Sequence, residues 1–475
     1  MTTNIEKKAL KAGIGYTIGN VLIRGISIIS LPLFARLLST TDYGIYNTFV
    51  AYASFLFVII GLALHSSLKN AKIDYKGQIE RYCSSITLLI IINALICLVV
   101  SLIGIQSIAN GLGIKNKLLV PLIVIDSFTL AIITLYNSFL SLEYRSKEYI
   151  LLSLLYTVSG VTISLLLIIG PFNSARYYGR IIGTILSGLI VTGYIIYTLF
   201  RNSKPQINIK YWRYGLVISL PIIPHGISQL VLSQFDRLMI NKINGSAEAG
   251  IYSFAYNIGA IFQIIATSLD TSWSQWFFDQ MEKKNYKEIE KTANIYLAAM
   301  SLGMIALLLV SPEVTLILGG EKYRNSIPAI MPIILSMYYT YLYYFPASIE
   351  YYMKKTKFIA LGTIMAAILN ILLNMIFIPR YGYIGAAYTT VVCYLLYYGI
   401  HVIIANRILE IKVYDLKQQI GWMLGSTCIT FVSVLFSNKW IVRYVLLVAE
   451  GIIVILIIVK NRNVIQKSIR QILKK

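Results

Sequence analysis

Charged residues are scarce in this chain, and acidic residues are scarcer than basic ones. Only 13% of the 475 residues are charged, whereas 57% are hydrophobic. A soluble protein of this composition would lack the polar side chains to cover its surface, so the composition predicts a polytopic membrane protein. A net charge of +22 raises the question of nucleic acid binding. However, the Lys and Arg residues lie between apolar segments, where they orient a chain in the membrane, so we expect no nucleic acid partner.

The sequence also lacks the residue clusters that hold a metal ion or a cofactor. Its four cysteines and three histidines are scattered and do not have the spacing of metal ligands. Long loops are missing as well, because the longest polar segments, residues 69–81 and 279–291, are far shorter than a domain of about fifty residues. We therefore expect no metal, no cofactor, no extramembrane catalytic domain and no enzymatic activity.

Apolar stretches of roughly twenty residues, the length of a membrane-spanning helix, dominate the chain. About fourteen such spans can be counted with a sliding window. They cover residues 14–34, 46–66, 83–104, 118–140, 150–170, 178–200, 214–235, 251–273, 292–311, 326–348, 358–378, 383–404, 418–437 and 440–459. With the N-terminus inside, the cytoplasmic segments carry roughly three times as many Lys and Arg residues as the outer ones. The pattern predicts an all-α polytopic protein with about 14 transmembrane helices and both termini in the cytoplasm.

Two sequence landmarks recur and indicate an internal repeat. The pattern Phe-Ala-Arg-Leu followed by Gly-Ile-Tyr at residues 34–46 resembles Phe-Asp-Arg-Leu followed by Gly-Ile-Tyr at residues 235–252. A second landmark contains Gly179 and Gly382, which follow the glycines of the first landmark by 135 and 132 positions. Six predicted spans separate the copies, and an even number keeps the topology of the two halves parallel. The repeat therefore predicts two parallel six-helix lobes followed by two extra C-terminal helices.

The predicted division of the chain follows from this repeat. It comprises an N-terminal lobe (1–200), a cytoplasmic linker (201–213), a C-terminal lobe (214–404) and a segment with the two extra helices and a basic cytoplasmic tail (405–475). From residue 460 the tail has isoleucines on one face and cations elsewhere, which is typical of a short amphipathic helix on anionic lipid headgroups. A simple topology anchor would have the same composition.

The first span contains a polar stripe on an otherwise apolar helix. Its members are spaced by three or four residues: Thr17, Asn20, Arg24 and Ser27. A cation at the middle of the bilayer costs about 2.5–3.5 kcal/mol on insertion scales, so Arg24 should face protein or a water-filled cavity. Two interpretations stay open. Arg24 lines a polar cavity, or it is a buried structural residue that is satisfied by carbonyl groups of a neighbouring helix.

Three stretches of the sequence resemble a known family. Residues 31–46 (Leu-Pro-Leu-Phe-Ala-Arg-Leu-Leu-Ser-Thr-Thr-Asp-Tyr-Gly-Ile-Tyr), residues 236–256 and residues 381–387 (Tyr-Gly-Tyr-Ile-Gly-Ala-Ala) resemble the signatures of bacterial O-antigen (Wzx-type) polysaccharide flippases. These belong to the multidrug/oligosaccharidyl-lipid/polysaccharide exporter superfamily, whose two six-helix lobes surround a central cavity. The resemblance implies a bacterial inner-membrane protein that translocates an undecaprenyl-diphosphate-linked oligosaccharide by alternating access. It also implies polysaccharide assembly proteins as partners.

The diphosphate of such a cargo would require cations inside the membrane. Arginine suits this role because its planar guanidinium binds oxyanions in a bidentate manner and stays charged. Arg24 in the first span and Arg180 near the start of the sixth span are the best-placed candidates. For Arg180 the alternative is a side chain that extends to water at the membrane interface.

The seventh span is interrupted by two prolines and carries polar residues. Pro221 and Pro224 should break or bend this helix, and interrupted helices mark substrate paths in transporters. His225 and Gln229 are therefore candidate substrate-binding residues, with His225 also able to respond to protons. The alternative for His225 is a histidine that is simply packed by its neighbours.

Two carboxylates lie inside predicted spans and are candidates for binding a coupling proton or sodium ion. Asp270 belongs to a polar stripe in the eighth span, and Asp126 lies in the fourth span with Thr129 and Asn137. The alternative for both residues is a structural role, in which the carboxylate balances the charge of an arginine.

Aromatic residues of the tenth span suggest a contact surface for sugars. Tyr338 and Tyr341 lie at helical spacing with Phe345 and Ser348, and sugars pack well on aromatic faces. The alternative is the ordinary enrichment of tyrosine at membrane interfaces. By analogy only, the two extra C-terminal helices are candidates for flanking a groove for the polyprenyl tail.

Two other functions remain as alternatives. A drug or cation antiporter of the same superfamily should have a cavity dominated by acidic residues and usually needs only twelve spans. A membrane enzyme such as an O-antigen polymerase tends to present a large external loop. The arginines, the number of spans and the short loops favour the flippase.

Overall fold

The computed structural model describes the backbone of residues 2–460. Side chains are described for residues 13–456, except at positions 14, 17, 18 and 21. The amphipathic helix predicted for the basic tail and the side chain of Thr17 thus lie outside the described residues.

Helices make up nearly all of the described chain, which contains no β-strand. The first half contains α1 (Thr2–Leu37), α2 (Thr40–Gly61), α3 (Leu68–Asp74), α4 (Ile79–Ile103), α5 (Ile105–Leu112), α6 (Leu119–Leu142), α7 (Ser146–Ile169) and α8 (Arg176–Asn202). The second half contains α9 (Ile209–Ser219), α10 (Ile223–Leu230), α11 (Asp236–Ile243), α12 (Ser246–Glu282), α13 (Tyr286–Gly319), α14 (Ile327–Tyr352), α15 (Thr356–Ile403), α16 (Leu416–Leu435) and α17 (Trp440–Lys460). The predicted all-α class is confirmed.

The helices agree with a multi-pass membrane protein. Within the described residues, nine helical stretches are long and apolar enough to cross a membrane. A helix lies at each predicted span, and α15 contains two of them, joined at Gly382, whose φ of 58° and ψ of −147° interrupt the helix. The total of 14 crossings stays a prediction.

Local sequence signals explain where α2 begins and ends. The hydroxyl of Ser39 accepts a hydrogen bond from the backbone N–H of Asp42, and the Asp42 carboxylate reaches back to Ser39, so α2 begins earlier than the apolar stretch. At the other end, Leu62 and Ala63 adopt left-handed backbone conformations and stop the helix. The predicted span at residues 46–66 is therefore displaced from the actual helix.

The chain divides into two compact units. Unit 1 comprises the residues up to Ser253 together with Thr363–Ala386, and unit 2 comprises Phe254–Gly362 together with the residues from Ala387 onward. In unit 1, α6 is packed against α2, α4, α7 and α8, and two thirds of its apolar window is buried. In unit 2, α13 packs on α14, α16 and α17, and α14 is buried over most of its length. The units group residues by contacts whereas the predicted lobes follow a sequence repeat, so the lobe boundaries stay a prediction.

The two copies of the first sequence landmark touch each other in unit 1. A Cβ atom on Gly44 of α2 would overlap the carbonyl oxygen of Ser246, and one on Gly250 of α12 would overlap the carbonyl oxygen of Thr40. The contact is thus reciprocal, which is the pattern expected where two related segments meet at a two-fold axis. Glycine at both positions allows the two backbones to approach this closely.

Candidate functional site

Arg180 of α8 has few hydrogen-bonding partners within the protein. Its Nη1 donates to the hydroxyl of Ser164 on α7 at 3.1 Å. Its guanidinium carbon lies 3.7 Å from the ring centroid of Phe34 on α1 and 4.8 Å from that of Tyr46 on α2. Its Nε has no hydrogen-bond partner among the described residues. The cation is therefore held mainly by aromatic faces, which leaves it with donor capacity for an anion.

Close packing of α7 against α8 positions this arginine. A Cβ on Gly183 would lie 2.5 Å from the Cα of Ser164, and one on Gly179 would lie 2.9 Å from the backbone nitrogen of Ile168. Small residues at a four-residue spacing let two helices approach closely in a membrane protein. The approach brings the Ser164 hydroxyl within reach of the Arg180 side chain.

Asp126 is a buried carboxylate that provides a counter-charge for Arg180. It lies on α6, is only 3% exposed, and its Oδ1 has no hydrogen-bond partner among the described residues. Arg180 and Asp126 interact electrostatically, and both interact with Tyr156 of α7. No direct ion pair joins them within the part of the chain that the structure describes. The buried carboxylate therefore offsets the charge of Arg180 without occupying its donors.

The polar stripe of α1 contacts α7 closer to the start of that helix than Arg180 does. The Oδ1 of Asn20 accepts a hydrogen bond of 3.0 Å from the hydroxyl of Tyr149, whose ring packs edge-on against Tyr16 at 5.1 Å. Arg24 is half-buried and interacts electrostatically with Tyr149. The hydroxyl of Ser27 donates to the carbonyl of Ile23 in its own helix. Both interpretations of Arg24 remain compatible with these contacts.

The two candidate arginines approach α7 at separate points. Arg180 contacts Ser164, whereas Arg24 interacts with Tyr149, and these α7 residues are about 22 Å apart along the helix axis. In this conformation, the two cations are thus not brought together on one diphosphate.

The predicted interruption of the seventh span is present. A 3₁₀ turn at Leu220–Ile222 contains Pro221, and a π-helical turn follows at Val231–Phe235. Between them, Gln229 is exposed, and His225 is half-buried with an Nδ1 atom that has no partner among the described residues. Gln229 is thus open to further contacts, whereas the partnerless nitrogen of His225 is buried.

The two candidate sugar-binding tyrosines of unit 2 differ in the hydrogen bonding of their hydroxyl groups. The hydroxyl of Tyr338 forms a buried hydrogen bond of 2.6 Å with the hydroxyl of Ser301 on α13. The hydroxyl of Tyr341 is buried and has no partner among the described residues. Asp270 of α12 accepts a hydrogen bond of 3.3 Å from Ser274 and interacts electrostatically with Tyr341 and Tyr344. Tyr338 is therefore tied into the packing of unit 2, whereas Tyr341 lies in a polar cluster with Asp270.

A buried polar network around Asp236 was missed by sequence reasoning, which noted the residue only as part of a signature. The hydroxyl of Tyr252 donates to Asp236 Oδ2, and the amide of Asn374 donates to Asp236 Oδ1, both at 2.6 Å. Asn374 also donates to Asn370 Oδ1 at 3.1 Å. The four-residue spacing of the two asparagines was the available signal for a polar contact between helices.

A large cavity lies on unit 2 between α13, α16 and α17, with a volume of about 1380 Å³. Its walls are formed mainly by apolar and small residues of α13 and α17, such as Ile295, Leu302 and Val454. Lys287, Glu290 and Lys291 line the cavity from the start of α13, and Glu450 lines it from α17. The lining is thus mainly apolar, with two basic and two acidic residues, which suits an elongated apolar molecule.

Comparisons with known proteins agree with these observations. The sequence profile of the family described as polysaccharide biosynthesis protein matches residues 9–274. A relative in Haloferax volcanii, named probable low-salt glycan biosynthesis flippase Agl15, is 22% identical over 91% of this chain and 90% of its own length. A protein of the Lsg locus in Haemophilus influenzae is 19% identical over 80% of this chain and 95% of its own length.

Solved structures of low sequence identity share the fold. The inward closed conformation of the lipid II flippase MurJ matches with a TM-score of 0.74 at 17% identity, covering 95% of this chain and 100% of that one. An inward-facing multidrug resistance MATE transporter of the MOP superfamily matches with a TM-score of 0.62 at 15% identity, covering 82% and 98%. The chain thus shares the fold of these transporters.

Proposed function

The chain belongs to the polysaccharide biosynthesis protein family, and on this premise we propose that it is a flippase for a polyprenyl-diphosphate-linked oligosaccharide. It would move this cargo from the cytoplasmic to the outer leaflet of the bacterial cytoplasmic membrane, with both of its own termini in the cytoplasm. The relative named as a glycan biosynthesis flippase supports this assignment over 91% of the chain.

The observation that carries the proposal is the environment of Arg180. A half-buried guanidinium inside a spanning helix has one hydroxyl partner, two aromatic neighbours and a compensating carboxylate that does not occupy its donors. A diphosphate would supply the oxyanions that this guanidinium lacks. A drug or cation antiporter would not gain from this arrangement, because a cationic cargo would be repelled.

Arg24 and Arg180 would contact the diphosphate at different stages. They approach α7 at points about 22 Å apart, so one phosphate group cannot contact both cations in this conformation. We infer that the diphosphate meets Arg24 first and Arg180 later, as alternating access carries it toward the outer face. Asn20, His225, Gln229, Tyr338 and Tyr341 would contact the glycan.

The polyprenyl tail would occupy the cavity between α13, α16 and α17. Its volume of about 1380 Å³ and its apolar walls suit an isoprenoid chain that remains in the membrane while the headgroup crosses.

Coupling to a proton or sodium gradient would drive the cycle, with Asp126 and Asp270 as candidate carboxylates. Asp126 interacts with Arg180, so protonation or ion binding at Asp126 would alter the attraction of Arg180 for phosphate. Polysaccharide assembly proteins would supply and consume the cargo.

The test is transport in reconstituted vesicles with a fluorescent polyprenyl-diphosphate-linked disaccharide, alongside a cationic dye. We expect the wild type to move the disaccharide lipid but not the dye, and Arg180→Ala to lower this transport at matched protein abundance. Arg180→Lys should restore part of the activity because it keeps the charge but not the bidentate geometry. Arg201→Ala, an exposed arginine of the same helix, is the matched control and should leave transport unchanged. Transport of the dye alone would contradict the proposal.

A further inference from the structure

Unit 2 contains a fully buried acid–imidazole pair that the proposed transport function does not yet use. Glu350 lies in the last turn of α14 and His401 in the last turn of α15, and both side chains are 0% exposed. The Nδ1 of His401 and the Oε1 of Glu350 are 2.6 Å apart, which is within hydrogen-bond distance.

The surroundings of the pair hold the imidazole in place. The rings of Tyr343 and Tyr397 lie 4.8 Å and 4.7 Å from the His401 ring in edge-on arrangements. On the remaining side lies Gly362, where a Cβ atom would be only 2.5 Å from the Nε2 of His401. Glycine at this position thus makes room for the ring. The imidazole is enclosed by two tyrosines, its acidic partner and a bare stretch of helix backbone.

The hydrogen bonds of the pair are incomplete. Neither Glu350 Oε2 nor His401 Nε2 has a partner among the described residues, although both atoms are buried. Purely structural ion pairs tend to use their remaining donors and acceptors, because each unsatisfied buried polar atom costs about 1–3 kcal/mol. An incomplete pair in a closed pocket is instead typical of a group that changes its protonation or its partners during function.

Charge considerations show what the pair can hold. With one proton shared between carboxylate and imidazole, the pair has no net charge. Without that proton, a negative charge would remain buried, which is unfavourable in a low-dielectric interior. Among the described residues of the adjoining segments, Lys354, Lys355 and Arg407 are exposed. The titratable neighbours of the pair are Tyr343, Tyr397 and Tyr351, and Tyr351 interacts with both Glu350 and Asp270.

We propose that Glu350 and His401 form a proton-binding site of unit 2, and that its occupancy is coupled to movement of the cargo. Hydronium delivers the proton to the carboxylate–imidazole pair and becomes water, and a water molecule accepts it on release and becomes hydronium, with no other group consumed. Glu350 is two residues from the end of α14, next to a lysine-rich segment that is predicted to be cytoplasmic. The proton therefore exchanges with that side in one state of the transport cycle and with the opposite side in the other.

This inference rests on the proposed flippase function, and the experiment separates the two. Vesicles containing the full-length protein and a trapped pH-sensitive dye are given the fluorescent disaccharide lipid, with and without a pH gradient. One pH unit is about a tenfold ratio of proton activity, so coupling to one proton supports up to about tenfold accumulation of the cargo. We expect the wild type to show this accumulation together with proton movement reported by the dye.

The variants Glu350→Gln and His401→Asn each keep a side chain that can hydrogen-bond to the remaining partner but remove one of the two titratable groups, so neither retains the pair that shares the proton. We expect both to lose the gradient-driven accumulation and to retain exchange of cargo without a gradient. Gly362→Ala, which leaves both titrating groups in place but displaces the imidazole, should show the same loss. His65→Gln is the matched control, because it removes a histidine of unit 1 that packs against Phe57, and it should behave like the wild type.

Each remaining outcome decides one of the two claims. If the wild type moves no cargo under any gradient, the flippase function fails. If it moves cargo without proton movement, or if the three variants accumulate cargo like the wild type, the flippase stands and the proton site is wrong. Should Glu350→Gln and His401→Asn fail to insert, Gly362→Ala, which keeps both titratable groups, decides the point.

Discussion

Two arginines inside apolar helices, one in each unit, have contrasting surroundings. Arg443 of α17, in unit 2, is 5% exposed and forms a bidentate ion pair with Glu313 of α13 through two contacts of 2.6 Å. It also donates to the carbonyl of Leu309 at 2.7 Å. Arg180, in unit 1, has one serine hydroxyl and two aromatic rings, and its carboxylate partner Asp126 is not in direct contact.

The difference separates a structural arginine from a functional one. A buried cation costs several kcal/mol unless its charge is paired, and Arg443 meets this requirement through its direct ion pair with Glu313. Its Nε, like that of Arg180, has no hydrogen-bond partner among the described residues. Arg180 has no direct ion pair among the described residues, so its remaining donors are suited to a ligand that binds transiently. The same contrast holds among tyrosines, since Tyr338 is paired with Ser301 whereas the hydroxyl of Tyr341 has no partner among the described residues.

The largest expected effect is on the stability of unit 2. Glu313→Gln should lower the free energy of unfolding by about 3 kcal/mol, because it leaves the Arg443 cation buried without its counter-charge. Thermal unfolding in detergent is the measurement. Glu321→Gln, which breaks the exposed pair with Arg324, should change stability by less than about 1 kcal/mol. Equal effects of the two substitutions would remove the basis for calling Arg443 structural.

Substitutions of Arg24 should show whether this residue is a ligand-binding arginine like Arg180 or a structural one like Arg443. We expect Arg24→Ala to lower transport about tenfold or more without loss of protein from the membrane, since the lost charge removes a phosphate contact worth at least about 1.4 kcal/mol. Arg24→Lys should retain part of the activity. Complementation of a flippase-deficient strain, with abundance measured in parallel, tests this. Loss of the protein itself would instead assign Arg24 to the structural class.

Asp126→Asn should change how strongly Arg180 attracts an anion, because it removes the negative charge that interacts with this guanidinium. Removal of the buried negative charge should strengthen the binding of the anionic cargo by a few-fold and slow its release, since the cation is no longer offset. The measurement is binding of the fluorescent disaccharide lipid together with its rate of transport. Asp279→Asn, at an exposed position of α12, is the control. Weaker binding in Asp126→Asn would show that the carboxylate positions Arg180 rather than competing for it.

The smallest effects are expected for the tyrosine hydroxyls. Tyr338→Phe should lower stability by about 1 kcal/mol, because it removes the buried hydrogen bond with Ser301. Tyr341→Phe should leave stability unchanged, because its hydroxyl has no partner to lose among the described residues, and it should lower transport about twofold if that hydroxyl contacts sugar. Matched thermal unfolding and transport assays compare the two. A reversal of this order would place Tyr341 among the structural residues.

Much of the fold was accessible from sequence because it depends on local patterns. Hydropathy predicted helices at positions where the structure has them, and the two prolines of the seventh span predicted its irregular turns. The repeat of Gly-Ile-Tyr pointed to related segments, and the structure adds that Gly44 and Gly250 bring these segments into contact. The polar stripe of α1 was visible for the same reason, since a spacing of three and four residues defines one helix face.

The partners of those side chains were not accessible from sequence. Whether a polar residue on a helix face meets a carboxylate, a hydroxyl or an aromatic ring depends on the rotation and packing of a neighbouring helix. Asp236 and Asn374 are 138 positions apart, and Glu350 and His401 are 51 positions apart, so no local spacing connects them.

By itself the sequence thus determined that the chain is an all-helical membrane protein with paired landmarks and a few polar residues in its spans, because hydropathy and periodicity are properties of short segments. Only the tertiary structure decided which of those residues are satisfied and which keep donors or acceptors in reserve. Arg443 and Arg180 are equivalent in sequence terms, and what distinguishes them is the chemistry of the helices packed around each.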